Sequence, residues 1–252
     1  MLPYPALDPV VVRLGPLAVR WYGIAYLLGF LAASVLLRRA ARAGRIPVPA
    51  KEVGDLLAAL VAGVIAGGRL GYALFYNLPY FAQHPLRVFA LWEGGMSFHG
   101  GLAGVALATW WFARRQGVSL LALGDALALV APLGLFLGRL ANFVNGELYG
   151  RVSAVPWAMV FPGAGPLPRH PSQLYEALLE GPVLWVLVWW AGHPRTGGAM
   201  GLRCGTFLAG YGALRFLAEF TRAPDLHLGL VLGPFTALSA GRRWAAARFF
   251  GG

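Results

Sequence analysis

Seven stretches of this chain are apolar over a length that can cross a bilayer: 17–37, 53–76, 96–113, 118–138, 172–192, 198–220 and 227–247. A span needs about 20 such residues, because a helix rises about 1.5 Å per residue and the hydrocarbon layer is about 30 Å thick. Lipid offers no partners to backbone N–H and C=O groups, so each stretch must close its hydrogen bonds internally, as a helix. The pattern predicts an all-α polytopic membrane protein with about seven transmembrane helices. Composition agrees: 58% of residues are hydrophobic and 12% charged, against about 25% charged in a soluble domain. No polar linker divides the sequence, so 1–252 reads as a single integral-membrane domain.

A formal net charge of +11 would suggest nucleic acid in a soluble protein. Here the excess gathers at the ends of apolar stretches: Arg38, Arg39, Arg42, Arg45 and Lys51; Arg114 and Arg115; Arg242, Arg243 and Arg248. Such clusters mark cytoplasmic loops, and membrane edges account for the charge without nucleic acid. They place the N-terminus outside and the C-terminus in the cytoplasm. The first stretch has no basic region before it and is too long for the core of a cleavable signal, so it reads as a retained helix. The outer connections hold 77–95 and a segment around 139–171, where Pro156, Pro162, Pro166 and Pro168 oppose a long helix. A small irregular head on the outer face is expected there. The lone cysteine, Cys204, cannot form an intramolecular disulfide and reads as a small apolar residue.

Polar residues at membrane depth are functional-site hypotheses by default. The run Gly138-Arg139-Leu140-Ala141-Asn142-Phe143-Val144-Asn145-Gly146-Glu147-Leu148-Tyr149-Gly150-Arg151 follows an apolar span. Further on, Tyr211, Arg215, Glu219 and Arg222 share one helix face. Arg139 and Arg215 are always charged and match phosphate through paired hydrogen bonds, which suggests a phospholipid headgroup. The alternative is an Arg215–Glu219 pair that only neutralises two costly charges. Gly67-Gly68-Arg69 with Tyr72 offers a third cationic point, or else small-residue helix packing with a snorkelling arginine. In Gly94-Gly95-Met96-Ser97-Phe98-His99-Gly100-Gly101-Leu102, a histidine surrounded by glycines suits proton transfer; the alternative is a structural histidine. Arg169-His170-Pro171-Ser172-Gln173-Leu174-Tyr175-Glu176 opens a span, with Gln173, Glu176 and Glu180 on one face that points into the bundle, where they either order the site or brace the arginines. No metal-binding or nucleotide-binding motif is present, and no cofactor is expected. The residues alone favour an enzyme over an anion transporter or a membrane scaffold.

These blocks, with Arg20-Trp21-Tyr22-Gly23 and Asp225, occur in an order that resembles the prolipoprotein diacylglyceryl transferase family over nearly the whole chain. Three departures are visible: Ala141 stands where many members have glycine, the outer segment between Arg151 and Arg169 is short, and so is the loop before the last span. The resemblance implies an enzyme of the bacterial plasma (inner) membrane with its active site toward the outer leaflet. It would transfer the diacylglyceryl group of phosphatidylglycerol to the lipobox cysteine behind the signal peptide of a preprolipoprotein, leaving a thioether and glycerol 1-phosphate. Arg139 and Arg215 would then stabilise charge on the phosphate, with Glu147 and Glu219 orienting them. Tyr22, Asn142, Asn145, Gly150, Arg69, Tyr211 and Glu176 would complete the contacts to the lipid. His99 is the candidate base, with the local field of the arginines as the alternative activator.

Overall fold

The computed structural model describes residues 2–5, 7–14, 17–193 and 198–223. A short hairpin, β1 (Val10–Leu14) and β2 (Leu17–Arg20), precedes helix α1 (Trp21–Arg42). Then come α2 (Val53–Phe75), the short α3 (Leu78–Gln83), two 3-10 turns at Pro85–Phe89 and Leu91–Glu93, and α4 (Phe98–Gln116). Helices α5 (Leu120–Ala128) and α6 (Ala131–Val144) follow. After an irregular segment, α7 (Ser172–Leu178) runs through a π-turn (Leu179–Val183) into α8 (Leu184–Ala191), and α9 spans Leu202–Glu219.

Helices dominate, and three are long and apolar enough to cross a membrane: Trp21–Arg42, Val53–Phe75 and the continuous Ser172–Ala191; α5 and α6 would make a fourth if they form one broken span. The protein is therefore a polytopic membrane protein. The structure departs from the sequence expectation in several places. Residues 17–20 are strand, because Val10 pairs with Arg20 and Val12 with Val19 across the hairpin; β-branched residues on both sides of Gly15-Pro16 favour that pairing over an extra helical turn. The stretches 96–113 and 198–220 are helical, as α4 and α9. They carry His99, Arg114 and Arg115, and Arg203, Arg215 and Glu219, and are not among the spans marked by apolarity. The stretch 227–247 lies outside the described residues.

The chain divides into two compact units. One consists of Phe30–Val130 with Ala199–Cys204. Its core joins Leu37, Ile46, Val48, Val53, Leu56, Phe112 and Leu123. Here α2 and α4 touch backbone to backbone through glycine: a Cβ on Gly63 would lie 2.5 Å from the Gly104 carbonyl oxygen. Small residues allow such an approach, which gains dispersion contacts where lipid supplies no hydrophobic drive. Asp125 of α5 accepts hydrogen bonds from the Gly201 and Cys204 N–H groups at 2.7 and 2.8 Å, capping the start of α9.

The second unit holds residues up to Gly29, Ala131–Gly198 and Gly205 onward. Its centre is α6 against α7 and the π-turn, where a Cβ on Gly181 would meet the Phe136 Cβ at 2.7 Å. Pro182 lies inside the π-turn. It has no N–H to donate, so the ladder widens there.

Candidate active site

The site of the second unit grows from the end of α6. The Gly146 N–H bonds back to the Phe143 carbonyl at 2.9 Å and the Glu147 N–H to the Asn142 carbonyl at 3.1 Å. With Gly146 at φ +67°, this is a Schellman stop, which needs a residue at ease with positive φ. The expectation of a head from 139 is corrected accordingly: Arg139, Ala141 and Asn142 sit in the last turns of a helix, and the irregular segment starts behind Asn145. Beyond it, the Gly150 N–H bonds to the His170 carbonyl and the His170 N–H to the Arg151 carbonyl, at 2.9 and 3.0 Å. Leu148 has φ +55°, a conformation that costs a branched side chain energy. Ser172 Oγ compensates by donating to the Leu148 carbonyl at 2.9 Å, and Gln173 Nε2 donates to the Glu147 carbonyl.

The Schellman turn folds Glu147 back over its own helix. The Tyr22 hydroxyl donates to Glu147 Oε1, and Asn142 Nδ2 donates to the Tyr22 oxygen and, at 2.9 Å, to Glu147 Oε1. Glu147 was expected to orient an arginine. It instead accepts from Tyr22 and Asn142, because the C-cap turn places it on the α1 side of α6.

The arginines are held by other carboxylates. Arg139 Nε and Nη2 donate to the two oxygens of Glu180 at 2.9 and 3.4 Å, and its Nη1 lies 2.7 Å from Glu176 Oε2. Glu176 also accepts from Arg222 Nη1 at 3.1 Å, and Arg222 Nε lies 4.0 Å from Glu219 Oε2. Glu219 in turn pairs with Arg215 Nη2 at 2.7 Å. A continuous chain therefore runs Glu180–Arg139–Glu176–Arg222–Glu219–Arg215. Among the described residues the chain joins three arginines and three glutamates, and Glu176, Glu180 and Glu219 are buried. A carboxylate there without its arginine would cost several kcal/mol, about 3–5 by the usual measure. At the end of the chain Arg215 Nη1 is buried and has no hydrogen-bond partner among the described residues; the same holds for Asn145 Oδ1.

The sequence left Glu180 as a residue that either orders the site or braces the arginines, and the structure sets it on Arg139; Arg222 was read only as a member of its helix face. Their signals were the Glu176–Glu180 spacing of four and the position of Arg222 on the Tyr211–Arg215–Glu219 face. Tyr211 lies one turn before Arg215, its ring stacked on Phe207 at 6.1 Å. Gly150 is a close-packing point: a Cβ there would lie 2.7 Å from both the Cβ and the carbonyl oxygen of His170. His170 Nδ1 is 3.1 Å from the Tyr175 hydroxyl, which receives the Trp157 indole N–H at 2.6 Å. Burial holds the His170 pKa below its ordinary value.

The other unit carries His99 and Arg69. His99 is exposed in the first turn of α4, whose N-cap Ser97 accepts from the Gly100 N–H at 3.1 Å. Arg69, expected at the lipid, departs most from expectation. It is 3% exposed, and its guanidinium donates to the carbonyls of Arg87, Val88, Ala90, Gly94 and Gly95.

Fold and site together define a helical membrane protein that buries an arginine–glutamate chain ending on an Arg215 nitrogen that has no hydrogen-bond partner among the described residues. The family model for prolipoprotein diacylglyceryl transferase matches residues 9–249. The phosphatidylglycerol–prolipoprotein diacylglyceryl transferase of Geobacter sulfurreducens is 54% identical, over 92% of this chain and 89% of its own length. Those of Bordetella avium and Vibrio cholerae are 52% and 53% identical, over 100% and 92% of this chain and 94% and 85% of their own lengths. The chain belongs to the prolipoprotein diacylglyceryl transferase family.

Proposed function

We propose that this protein transfers the diacylglyceryl group of phosphatidylglycerol to the lipobox cysteine of preprolipoproteins, the first step of lipoprotein maturation. The observation that carries the reading at the site is the arginine–glutamate chain, at whose end the buried Nη1 of Arg215 has no partner among the described residues. A phosphate oxygen is the partner such a nitrogen suits.

In the reaction the cysteine thiolate attacks the glycerol carbon that carries the phosphate ester. The S–C bond forms as the C–O bond breaks. The phosphate leaves with both bonding electrons as glycerol 1-phosphate, and the thiol proton is taken up first by a base and finally by the released phosphate. Negative charge grows on the phosphate in the transition state, so a fixed cation aimed at it lowers the barrier. Arg139 and Arg215 take that role. Glu180 and Glu176 fix Arg139, Glu219 fixes Arg215, and neither arginine must reorganise as the charge develops. Tyr22, Asn142 and Glu147 form a polar group for the glycerol hydroxyls, Asn145 and Tyr211 add further contacts to the lipid, and Gly150 keeps the backbone close. His99 is the proposed base for the thiol.

The protein sits in the bacterial inner membrane with seven spans, its N-terminus outside and its C-terminus in the cytoplasm. The two acyl chains stay in the lipid, and the site faces the outer leaflet. The test is a reconstituted assay with phosphatidylglycerol and a lipobox peptide, followed by peptide mass. The expected result is a gain of one diacylglyceryl group, absent with a Cys-to-Ser peptide. Arg139→Ala and Arg215→Ala, each still folded, should lower turnover about 10²–10³-fold. Near-normal turnover in either would remove that arginine from the mechanism. No gain of mass with folded wild-type protein would overturn the activity.

A further inference from the structure

Arg69 is built to hold a loop. Its five donors meet five carbonyls: Nε to Val88 at 2.8 Å, Nη2 to Arg87 and Ala90 at 2.7 and 2.9 Å, and Nη1 to Gly94 and, at 3.3 Å, Gly95. A guanidinium has five N–H groups in a fixed fork, so none is left for a phosphate. The Phe81 ring covers the cation at 5.1 Å. These carbonyls belong to the two 3-10 turns and the glycines that lead into α4, a stretch with few ladder bonds of its own.

The neighbours of Arg69 on α2 grip the same stretch. The Gly68 carbonyl accepts from the Ser97 N–H at 2.8 Å, and a Cβ on Gly68 would lie 2.7 Å from Met96 Cε. Gly95 has φ +78°, and a Cβ on it would meet Tyr72 Cδ1 at 2.7 Å. Ser97 then caps α4, and His99 follows two residues on. One turn of α2 therefore fixes the backbone from Arg87 to Ser97 and, through the cap, the first turn of α4.

We propose that Arg69 is a positioning residue that sets His99 through the 87–97 backbone, and that it does not bind the lipid phosphate. The proposal rests on the reading of His99 as the base. Lysine in its place keeps the charge but offers three donors from one point, which cannot span five carbonyls. A phosphate contact would keep part of its strength with lysine as a point charge and would show its loss in KM for the lipid; a cage of five carbonyls would be lost.

The experiment uses the full-length protein in phosphatidylglycerol-containing micelles. Hydrogen exchange by mass spectrometry is measured for Arg69→Lys and Arg69→Gln, with transfer kinetics on the lipobox peptide. Both variants should speed exchange across 87–97 and leave α6 and α9 unchanged. Both should lose kcat by about 10²-fold, the scale of a 1 Å misplacement, with KM for phosphatidylglycerol within about twofold of wild type. In a His99→Gln background the Arg69→Lys loss should vanish, since residues acting as one unit are not additive. Gly95→Ala, which displaces the same loop with Arg69 intact, should repeat the kinetic signature if the Arg69 variants do not fold. Near-wild-type kcat in Arg69→Lys, a rise in KM alone, or full additivity with His99→Gln overturns the proposal. A wild type without transfer activity would instead remove the proposed function, while the exchange measurement would still test the brace.

Discussion

Glu180 sits at 0% exposure with its carboxylate forked by Arg139. Replacing it with glutamine keeps the volume and removes the charge, so Arg139 is left with Glu176 alone, a carboxylate that it already shares with Arg222. Breaking a buried pair from one side costs about 3–5 kcal/mol. Glu180→Gln should therefore lower the thermal unfolding temperature in detergent markedly, whereas Arg87→Gln, which loses only the exposed pair with Glu93, should barely move it. Similar shifts for the two would mean that the cluster is not a unit. His170 gives a pH-dependent case. Its pKa is held low by burial, so the unfolded chain binds more protons between the folded pKa and about 6.5. Stability is full above about pH 6.5 and falls as pH drops through the folded pKa. Unfolding temperatures of wild type and His170→Gln, followed against pH, should have different slopes only below that point. The arginines and Glu219 were legible in the sequence because a charge in an apolar run has no ordinary reason to be there, and the Arg215–Glu219 pair lies within one helix. The partners of Arg139 and Glu147 were not, because they depend on how α6 meets α7 and α1.

Helix α6 shows how an element delivers its residues. Its Schellman stop turns the chain at Gly146 and aims Glu147 back at Asn142 and Tyr22. Gly146→Ala forces an L-residue to φ +67°, at about 1–2 kcal/mol, and Gly146→Asn should cost less because asparagine tolerates that region. The order glycine, asparagine, alanine in unfolding temperature checks this; equal losses for both substitutions would locate the damage elsewhere, such as the 3.3 Å approach of a Cβ to the Tyr4 hydroxyl. The helical core of every described stretch was legible from apolar length, since lipid leaves the backbone no other choice. The hairpin at Val10–Arg20 was hidden because its second strand runs straight into the apolar start of α1. The interruption in Ser172–Ala191 was hidden too, although Pro182 marks it.

At the scale of the whole molecule, orientation in the bilayer is the property that decides which leaflet supplies substrate. In the unit of Phe30–Val130, one end carries Arg38, whose Nη1 donates to the Ala50 carbonyl at 3.4 Å, and the Gln116–Glu52 bond of 2.9 Å. At that end Arg114 and Arg115 lie over Trp110 and Trp111 at 5.6 and 5.4 Å. Aromatic rings with arginines snorkelling past them are the pattern of a membrane–water boundary, and under the proposed function the surplus of arginine makes this end the cytoplasmic one. Helix α2 runs from this end to Phe75, about 33 Å further at a helical rise of about 1.5 Å per residue, enough to bring the 78–97 segment to the opposite surface. Cys204 is the lone cysteine, so a Cys204→Ala background makes single labels possible. Leu86, 80% exposed, should react as Leu86→Cys with a membrane-impermeant maleimide in intact spheroplasts. Arg45→Cys, in the basic loop, should react only after permeabilisation. This pattern puts the Arg69 cage and the start of α4 at the outer leaflet. The reverse pattern would turn His99 toward the cytoplasm, away from the outer leaflet where the proposed transfer takes place, and would remove it as the base whatever its own chemistry.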